Sequence, residues 1–148
     1  MMTQLNILNK LSNTLMTRGN KSNSEELLYH VLSELNYQYR KDPVVLIEKM
    51  IKQLIVIAEV RSKKRGGTSR LVPTPTPQHR QIPLGIRLFR EAVRIRPERT
   101  FKQRILGEAM NLYQGRGESL KKRNNIHYQV EINRANVSGK KTRRHYRW

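Results

Sequence analysis

The sequence contains no cysteine, which excludes disulfide frameworks, thiolate zinc sites and a cysteine nucleophile. Long apolar runs are also absent, since the longest, residues 54–58, is far shorter than the roughly 18 residues of a transmembrane helix. We therefore expect no membrane partner. The chain is amphipathic from its first residues and resembles neither a signal peptide nor a transit peptide, so we expect no cleaved leader.

Acidic residues are scarce, and the resulting positive charge is unevenly distributed. The 148 residues include 30 Lys+Arg and 11 Asp+Glu, a formal net charge of +19. Residues 1–60 contain 7 basic and 6 acidic side chains, whereas residues 61–148 contain 23 basic and 5 acidic ones. A one-sided positive charge of this size indicates a protein that binds a polyphosphate such as a nucleic acid.

Apolar residues at intervals of three and four predict six helices. They cover about residues 4–17, 22–39, 43–57, 82–94, 100–114 and 118–136. Capping signals precede three of them, at Ser22 with Glu25, Asp42 with Pro43, and Thr100 with Gln103. The predicted fold class is all-α, a bundle of about six helices with one protruding β-hairpin between helices three and four.

The chain is expected to form a single domain, residues 1–148. Its predicted parts are an aliphatic three-helix core (1–57), a basic hairpin (58–73), basic helices four to six (78–136) and a basic aromatic tail (137–148).

Two short extended runs, residues 59–63 and 68–72, flank Gly66 and Gly67, a pair that permits the positive φ angles of a tight hairpin turn. The prolines that follow are expected to keep the chain extended without ladder hydrogen bonds. The hairpin cations are Arg61, Lys63, Lys64, Arg65 and Arg70. They either contact phosphates or merely protect an exposed ribbon from pairing with other strands. Five cations against the single acid Glu59 favour phosphate contact.

Two further basic segments have weaker signals. The fourth helix carries Arg80, Arg87, Arg90, Arg94 and Arg96. These arginines either face solvent or extend the positive surface of the hairpin towards a nucleic acid. The tail combines Lys140, Lys141, Arg143 and Arg144 with Tyr146 and Trp148. Such a segment is either frayed or binds a polyanion while its aromatic rings stack on bases.

Nothing in the sequence indicates catalysis or a resident cofactor. The four histidines are scattered and lack the spacing of a metal site, and neither a nucleophile elbow nor a phosphate-binding loop is present. We therefore expect no enzyme activity, no metal, no cofactor and no small-molecule substrate. Two readings remain, an RNA-binding structural protein and a free-standing basic DNA-binding or nucleoid protein.

Four stretches of the sequence resemble the family of small-subunit ribosomal protein seven, of the bacterial and organellar kind. The first comprises residues 15–22 with Glu25, and the second comprises residues 59–67 with Val72 and Pro73. The third consists of Leu84, Arg87 and residues 91–92. The fourth consists of Gly117, residues 121–123, His127, Asn133 and residues 145–148. These stretches span nearly the whole chain in the order of the family.

The resemblance implies a structural constituent of the small ribosomal subunit that binds the 3′ major domain of its rRNA and nucleates assembly of the head. It implies rRNA contacts by Arg18 and Lys21 and by the three cations at positions 121–123, namely Lys121, Lys122 and Arg123. It places the hairpin, including Gly66 and Gly67, near the exit-site tRNA and the mRNA path. Neighbouring proteins of the head and platform are further implied partners.

The chain also departs from the family pattern. The basic N-terminal arm of the family is absent. Asn20 stands where the family usually has Lys, Arg70 stands where Tyr is common, and Leu88 stands where Trp is common. Roughly seven residues, a basic block of the kind that marks interaction tails, are inserted before the closing HYRW. These departures lead us to expect an organelle-encoded protein of the mitochondrial matrix ribosome, with the bacterial cytoplasm or a plastid as alternatives.

Overall fold

The computed structural model describes residues 4–139, apart from the side chains of residues 4–6, 65, 138 and 139. The helices are α1 (Gln4–Leu15), α2 (Lys21–Tyr39), α3 (Pro43–Gln53), α4 (Gln78–Ile95), α5 (Phe101–Tyr113) and α6 (Glu118–Ile132), and a 3₁₀ helix, η1 (Asn133–Gly139), follows α6. Strands β1 (Ala58–Arg65) and β2 (Thr68–Pro75) pair antiparallel between α3 and α4. The predicted fold class is confirmed.

One hydrophobic core is shared by α1 to α5. Leu11, Leu35, Leu54, Ile86 and Ile105 are all fully or almost fully buried and come from α1, α2, the end of α3, α4 and α5, respectively. The core therefore draws on helices well beyond the first three. Helix α6 contributes only a partly buried Leu120 to it, because its sequence has few apolar positions. None of the described helices is both long enough and apolar enough to cross a membrane.

Two of the predicted helix caps are present as hydrogen bonds. The carboxylate of Asp42 accepts a bond of 2.9 Å from the backbone N–H of Val44, directly before α3. At α5, the hydroxyl of Thr100 accepts from the N–H of Gln103, and the Gln103 side chain accepts from the N–H of Thr100. These caps satisfy backbone donors that the first helical turn leaves without partners.

The capping box predicted at Ser22 does not form. Helix α2 begins one residue earlier, at Lys21, after Asn20, whose side chain makes no cap hydrogen bond. The neighbouring Ser24 is buried instead, and its hydroxyl donates a 2.7 Å bond to the carbonyl of Ser12 on α1. The packing of α1 on α2 therefore fixes this helix start.

The fourth helix begins at Gln78, although the sequence predicted a start at Ile82-Pro83. Pro83 lies inside α4. The extra turn is held by the N–H of Arg80, which donates to the carbonyl of Pro77, and by the side chain of Gln81, which donates to the carbonyl of Thr76. Pro83 is the sixth residue of this helix, so its missing N–H leaves the carbonyl of His79, in the first turn, without its usual helical partner.

Three other boundaries also differ from prediction. Helix α3 ends at Gln53 and α6 at Ile132, both earlier than expected, and β2 runs on through Pro73 to Pro75. Pro73 and Pro75 are two residues apart, so their nitrogens lie on the same edge of β2. On the edge that faces away from β1, no N–H is needed for the hydrogen bonds between the strands.

Candidate nucleic-acid interface

The hairpin turn is formed by Gly66 and Gly67, as predicted. Their φ angles are +57° and +82°, and the flanking residues Arg65 and Thr68 are paired across the strands. Two consecutive positive φ angles give the turn a twist that matches that of the strands, and side chains other than glycine are strained there. The two strands of eight residues each therefore pair as one ribbon, and Asn136 on η1 contacts it by donating a 2.8 Å bond to the carbonyl of Leu71 on β2.

The positive charge of the ribbon lies mainly on one of its faces. Because side chains alternate along a strand, Arg61 and Lys63 share a face, and the register places Arg70 on it directly opposite Lys63. Lys64 lies on the other face. Lys63, Lys64 and Arg70 are exposed and form no ion pair with any residue that the structure describes. Like charges directly opposite each other destabilise a strand pair, so this face is suited to an anionic partner.

Glu59 joins the base of the ribbon to α4. Its carboxylate accepts a 2.7 Å bond from Arg61 and contacts of 3.1 and 3.2 Å from the Nε and Nη2 atoms of Arg80. The hydrogen bond from Arg61 and the nearby charge of Arg80 lower the pKa of Glu59. Arg61 and Arg80 are thus partly neutralised within the protein. In the sequence, Glu59 is only an acid among cations, because its partner on α4 lies 21 residues away.

Helix α4 continues the positive surface from the ribbon base. Arg80, Arg87 and Arg94 are exposed and recur every seven residues, which places them along one side of the helix over about 21 Å. Arg87 and Arg94 have no ion-pair partner within residues 4–139. Arg90 is only partly exposed, and its Nε is buried without a hydrogen-bond partner among the described residues. On this side of α4, the guanidinium groups of Arg87 and Arg94 are therefore available to bind phosphate oxygens.

Arg96, by contrast, has a role within the fold. Its guanidinium group lies 2.6 Å from a carboxylate oxygen of Glu98 and 3.0 Å from one of Glu108, which is completely buried on α5. The bond to Glu98, and then that to Glu108, raise the pKa of Arg96. The other oxygen of Glu108 accepts bonds from the N–H and hydroxyl of Ser119 at the start of α6. This cluster holds the end of α4, α5 and α6 together.

The three cations predicted on α6 are in contact with their own chain. Lys121 pairs with Glu118 at 3.2 Å and remains exposed, whereas Lys122 reaches Glu91 on α4 at 3.1 Å. Arg123 donates to the backbone carbonyl of Gln53 at the end of α3. Lys122 and Arg123 therefore attach α6 to the body, and rRNA contact by these residues stays a prediction.

His127, one turn after Arg123, is expected to make stability depend on pH. Burial, with the charge of Arg123, lowers its pKa, and its Nε2 is buried without a partner among the described residues. The unfolded chain takes up the proton first as pH falls, near the ordinary pKa of about 6.5, so stability declines as pH falls below that value. We expect His127→Gln to flatten the pH dependence of the free energy of unfolding between pH 7 and 5, measured by urea denaturation. An identical slope in His127→Gln and the parent protein would contradict this.

Arg18 and Lys21 lie at the turn between α1 and α2, apart from the ribbon. Arg18 is exposed and has a φ of +55°, followed by Gly19 at +76°. An open groove of about 440 Å³ is lined by four apolar residues, including Leu27 and Phe101, by four uncharged polar residues and by Arg18. An apolar wall beside an exposed guanidinium suits an unpaired base and its phosphate. Lys21 pairs with Glu25 at 3.4 Å, so it is less available.

The remaining predicted contacts cannot be placed. Lys140, Lys141, Arg143 and Arg144 lie outside the described residues, and for Arg65 only the backbone, at the end of β1, is described. Within the described part of the chain, no three His, Asp or Glu side chains are grouped as metal ligands. What the structure assembles is a ribbon and a helix face rich in free cations, which suits the binding of a phosphate backbone.

Comparison with known proteins identifies the family of the chain. Residues 2–134 match the family described as Ribosomal protein S7p/S5e. The chain is 35% identical over 128 residues to small ribosomal subunit protein uS7 of Nitrosomonas eutropha, covering 86% of this chain and 82% of that protein. It is 33% identical over 143 residues to small ribosomal subunit protein uS7m of Reclinomonas americana, covering 97% of this chain and 86% of that protein. It is 32% identical over 145 residues to uS7 of Thermodesulfovibrio yellowstonii, covering 98% of this chain and 88% of that protein. With its matched segment, its six helices and its basic ribbon, the chain belongs to the ribosomal protein S7p/S5e family.

Proposed function

We propose that this protein is a structural constituent of the small ribosomal subunit, where it binds the 3′ major domain of the rRNA and helps to assemble the head. The observation that carries the proposal is the set of unpaired cations on the ribbon and α4, namely Lys63, Lys64, Arg70, Arg87 and Arg94, in a chain of this family. Such cations bind by neutralising phosphates and releasing counterions.

The arrangement of these cations favours folded RNA over DNA. They are distributed over a ribbon, a helix side and an interhelical turn, and these differ in shape and direction. A DNA regulator of the usual kind instead presents one recognition helix to a regular major groove, often as a symmetric dimer. RNA of irregular tertiary shape offers phosphates in many directions and unpaired bases for the groove beside Arg18.

Finer roles follow from the ribbon and from the family. The ribbon extends from the body, so its tip is proposed to reach the exit-site tRNA and the mRNA path, with Lys63 and Lys64 as the contacting cations. Neighbouring small-subunit proteins are the other proposed partners. The proposed location is the mitochondrial ribosome, which rests on the departures of the sequence from the usual family pattern and on the 33% identity to uS7m of Reclinomonas americana. Bacterial members are similarly close.

The proposal is tested by binding and by sedimentation. In 0.15 M salt, the full chain is expected to bind a multihelix junction transcribed from its own small-subunit rRNA roughly 10³-fold more tightly than random duplex DNA of equal length. In extracts, it is expected to sediment with the small subunit. Equal affinity for the two nucleic acids would favour the DNA-binding alternative and contradict the proposal.

A further inference from the structure

The outward side of α2 is an exposed surface that the cationic interface does not use. Leu28, Val31 and Leu35 bury one side of this helix in the core. The helical period places the exposed residues together on the opposite side. This surface, which we term the α2 face, consists of Ser22, Glu25, Glu26, Tyr29, Ser33 and Tyr37.

Two exposed tyrosines give the α2 face its apolar area, and the ring of Tyr29 makes an edge contact with His30 on the same helix. Tyr29 and Tyr37 are 71% and 83% exposed, more than any other large hydrophobic side chain that the structure describes. They are eight residues apart, which corresponds to about 12 Å along the helix. Tyrosine is enriched among the residues that dominate protein–protein binding, because it buries a large rigid ring and keeps a hydroxyl for hydrogen bonding.

The charge of α2 is opposite to that of the chain as a whole. The helix contains one basic residue, Lys21, against Glu25, Glu26 and Glu34, in a protein of net charge +19. Lys21 is paired with Glu25, while Glu26 faces only His30, at 3.8 Å. Glu34 forms no ion pair within the described part of the chain. A phosphate backbone is repelled by such a surface, whereas a cationic polypeptide is attracted to it.

We propose that the α2 face is a docking surface for a lysine- and arginine-rich segment of another protein of the small subunit. The inference rests on the proposed function, since it places that partner within the ribosome. The 19 residues of α2 span about 28 Å, which accommodates about eight residues of an extended segment. Its cations would lie on Glu25 and Glu26 while its apolar atoms cover Tyr29 and Tyr37.

The test uses the full chain assembled into small subunits, with the photoreactive residue p-benzoylphenylalanine replacing Tyr29 or Tyr37 one at a time. We expect both positions to cross-link to the same protein, at a peptide rich in Lys and Arg. The matched control carries the same residue in place of Tyr128, which is 62% exposed on α6, and is expected not to yield that peptide. Cross-links to rRNA, to an acidic or neutral peptide or to a second copy of this chain, or no cross-link, would overturn the proposal.

A charge variant separates this inference from the proposed function. Glu25→Gln with Glu26→Gln is expected to reduce the cross-link yield at Tyr29 on the order of tenfold, since two exposed ion pairs are lost. Sedimentation with the small subunit and affinity for rRNA are expected to persist. An unchanged yield would refute charge complementarity at the α2 face, whereas a parent protein that never sediments with the subunit would instead refute the proposed function.

Discussion

Replacing Glu108 with alanine is expected to lower the free energy of unfolding by about 3–5 kcal/mol, the range for breaking a buried ion pair. Glu108 is completely buried and accepts hydrogen bonds from Arg96 and from the N–H and hydroxyl of Ser119. Its removal leaves a largely buried guanidinium with a missing partner and two donors at the start of α6 without an acceptor. The loss therefore weakens three helices at once.

Urea denaturation followed by circular dichroism measures this change. The matched control is Glu131→Ala, which removes the same charge from an exposed position on α6 and is expected to change the free energy by less than about 0.5 kcal/mol. Removing both charges, with Arg96→Met and Glu108→Leu, is expected to recover only part of the loss, because the buried carboxylate is gone while the partly exposed Glu98 loses its partner. A loss below about 1 kcal/mol in Glu108→Ala would show that the cluster is not the junction described above.

The second large effect is expected in RNA affinity. Changing Lys63, Lys64 and Arg70 together to alanine removes three exposed cations of the ribbon that pair with no acid in the described part of the chain. Each phosphate contact releases about 0.9 counterion, which at 0.1 M salt corresponds to about eightfold in affinity. We therefore expect Kd for the rRNA junction to rise about 10²- to 10³-fold. The slope of log affinity against log salt concentration is expected to become shallower by the amount that about three phosphate contacts contribute.

Filter binding across a salt series gives both quantities, and circular dichroism checks that helix content is retained. The matched control changes Lys41, Lys49 and Lys52 to alanine, three cations near and on α3 outside the proposed interface. It is expected to alter Kd severalfold at most, through net charge alone. Equal losses in the two triple variants would mean that the ribbon makes no specific phosphate contacts, and a loss of helix in the ribbon variant would contradict its separation from the core.

The sequence predicted best those features that depend on neighbouring residues. The Gly66–Gly67 turn, the Asp42 cap and the Thr100–Gln103 box are local, and each is present. The start of α2 was wrong because it depends on a buried bond from Ser24 to α1, which no local pattern contains.

The same distinction applies to the cations. The sequence identified the basic segments but not which side chains are free, since Arg80, Lys122 and Arg123 find partners 21, 31 and 70 residues away. Charge counting treats Arg87 and Arg96 alike, yet the fold exposes the first and pairs the second with Glu98 and Glu108. Tertiary contacts therefore decide which cations remain available to RNA.

On the proposed function, the opposition of Lys63 and Arg70 would link the stability of the ribbon to RNA binding. In the free protein, the like charges of these side chains lie directly opposite each other across the strands, which destabilises the pair. A phosphate bound between the two side chains would replace this repulsion with two attractions. By reciprocal linkage, phosphate binding would then stabilise the strand pair, and a well-formed strand pair would raise the affinity for phosphate.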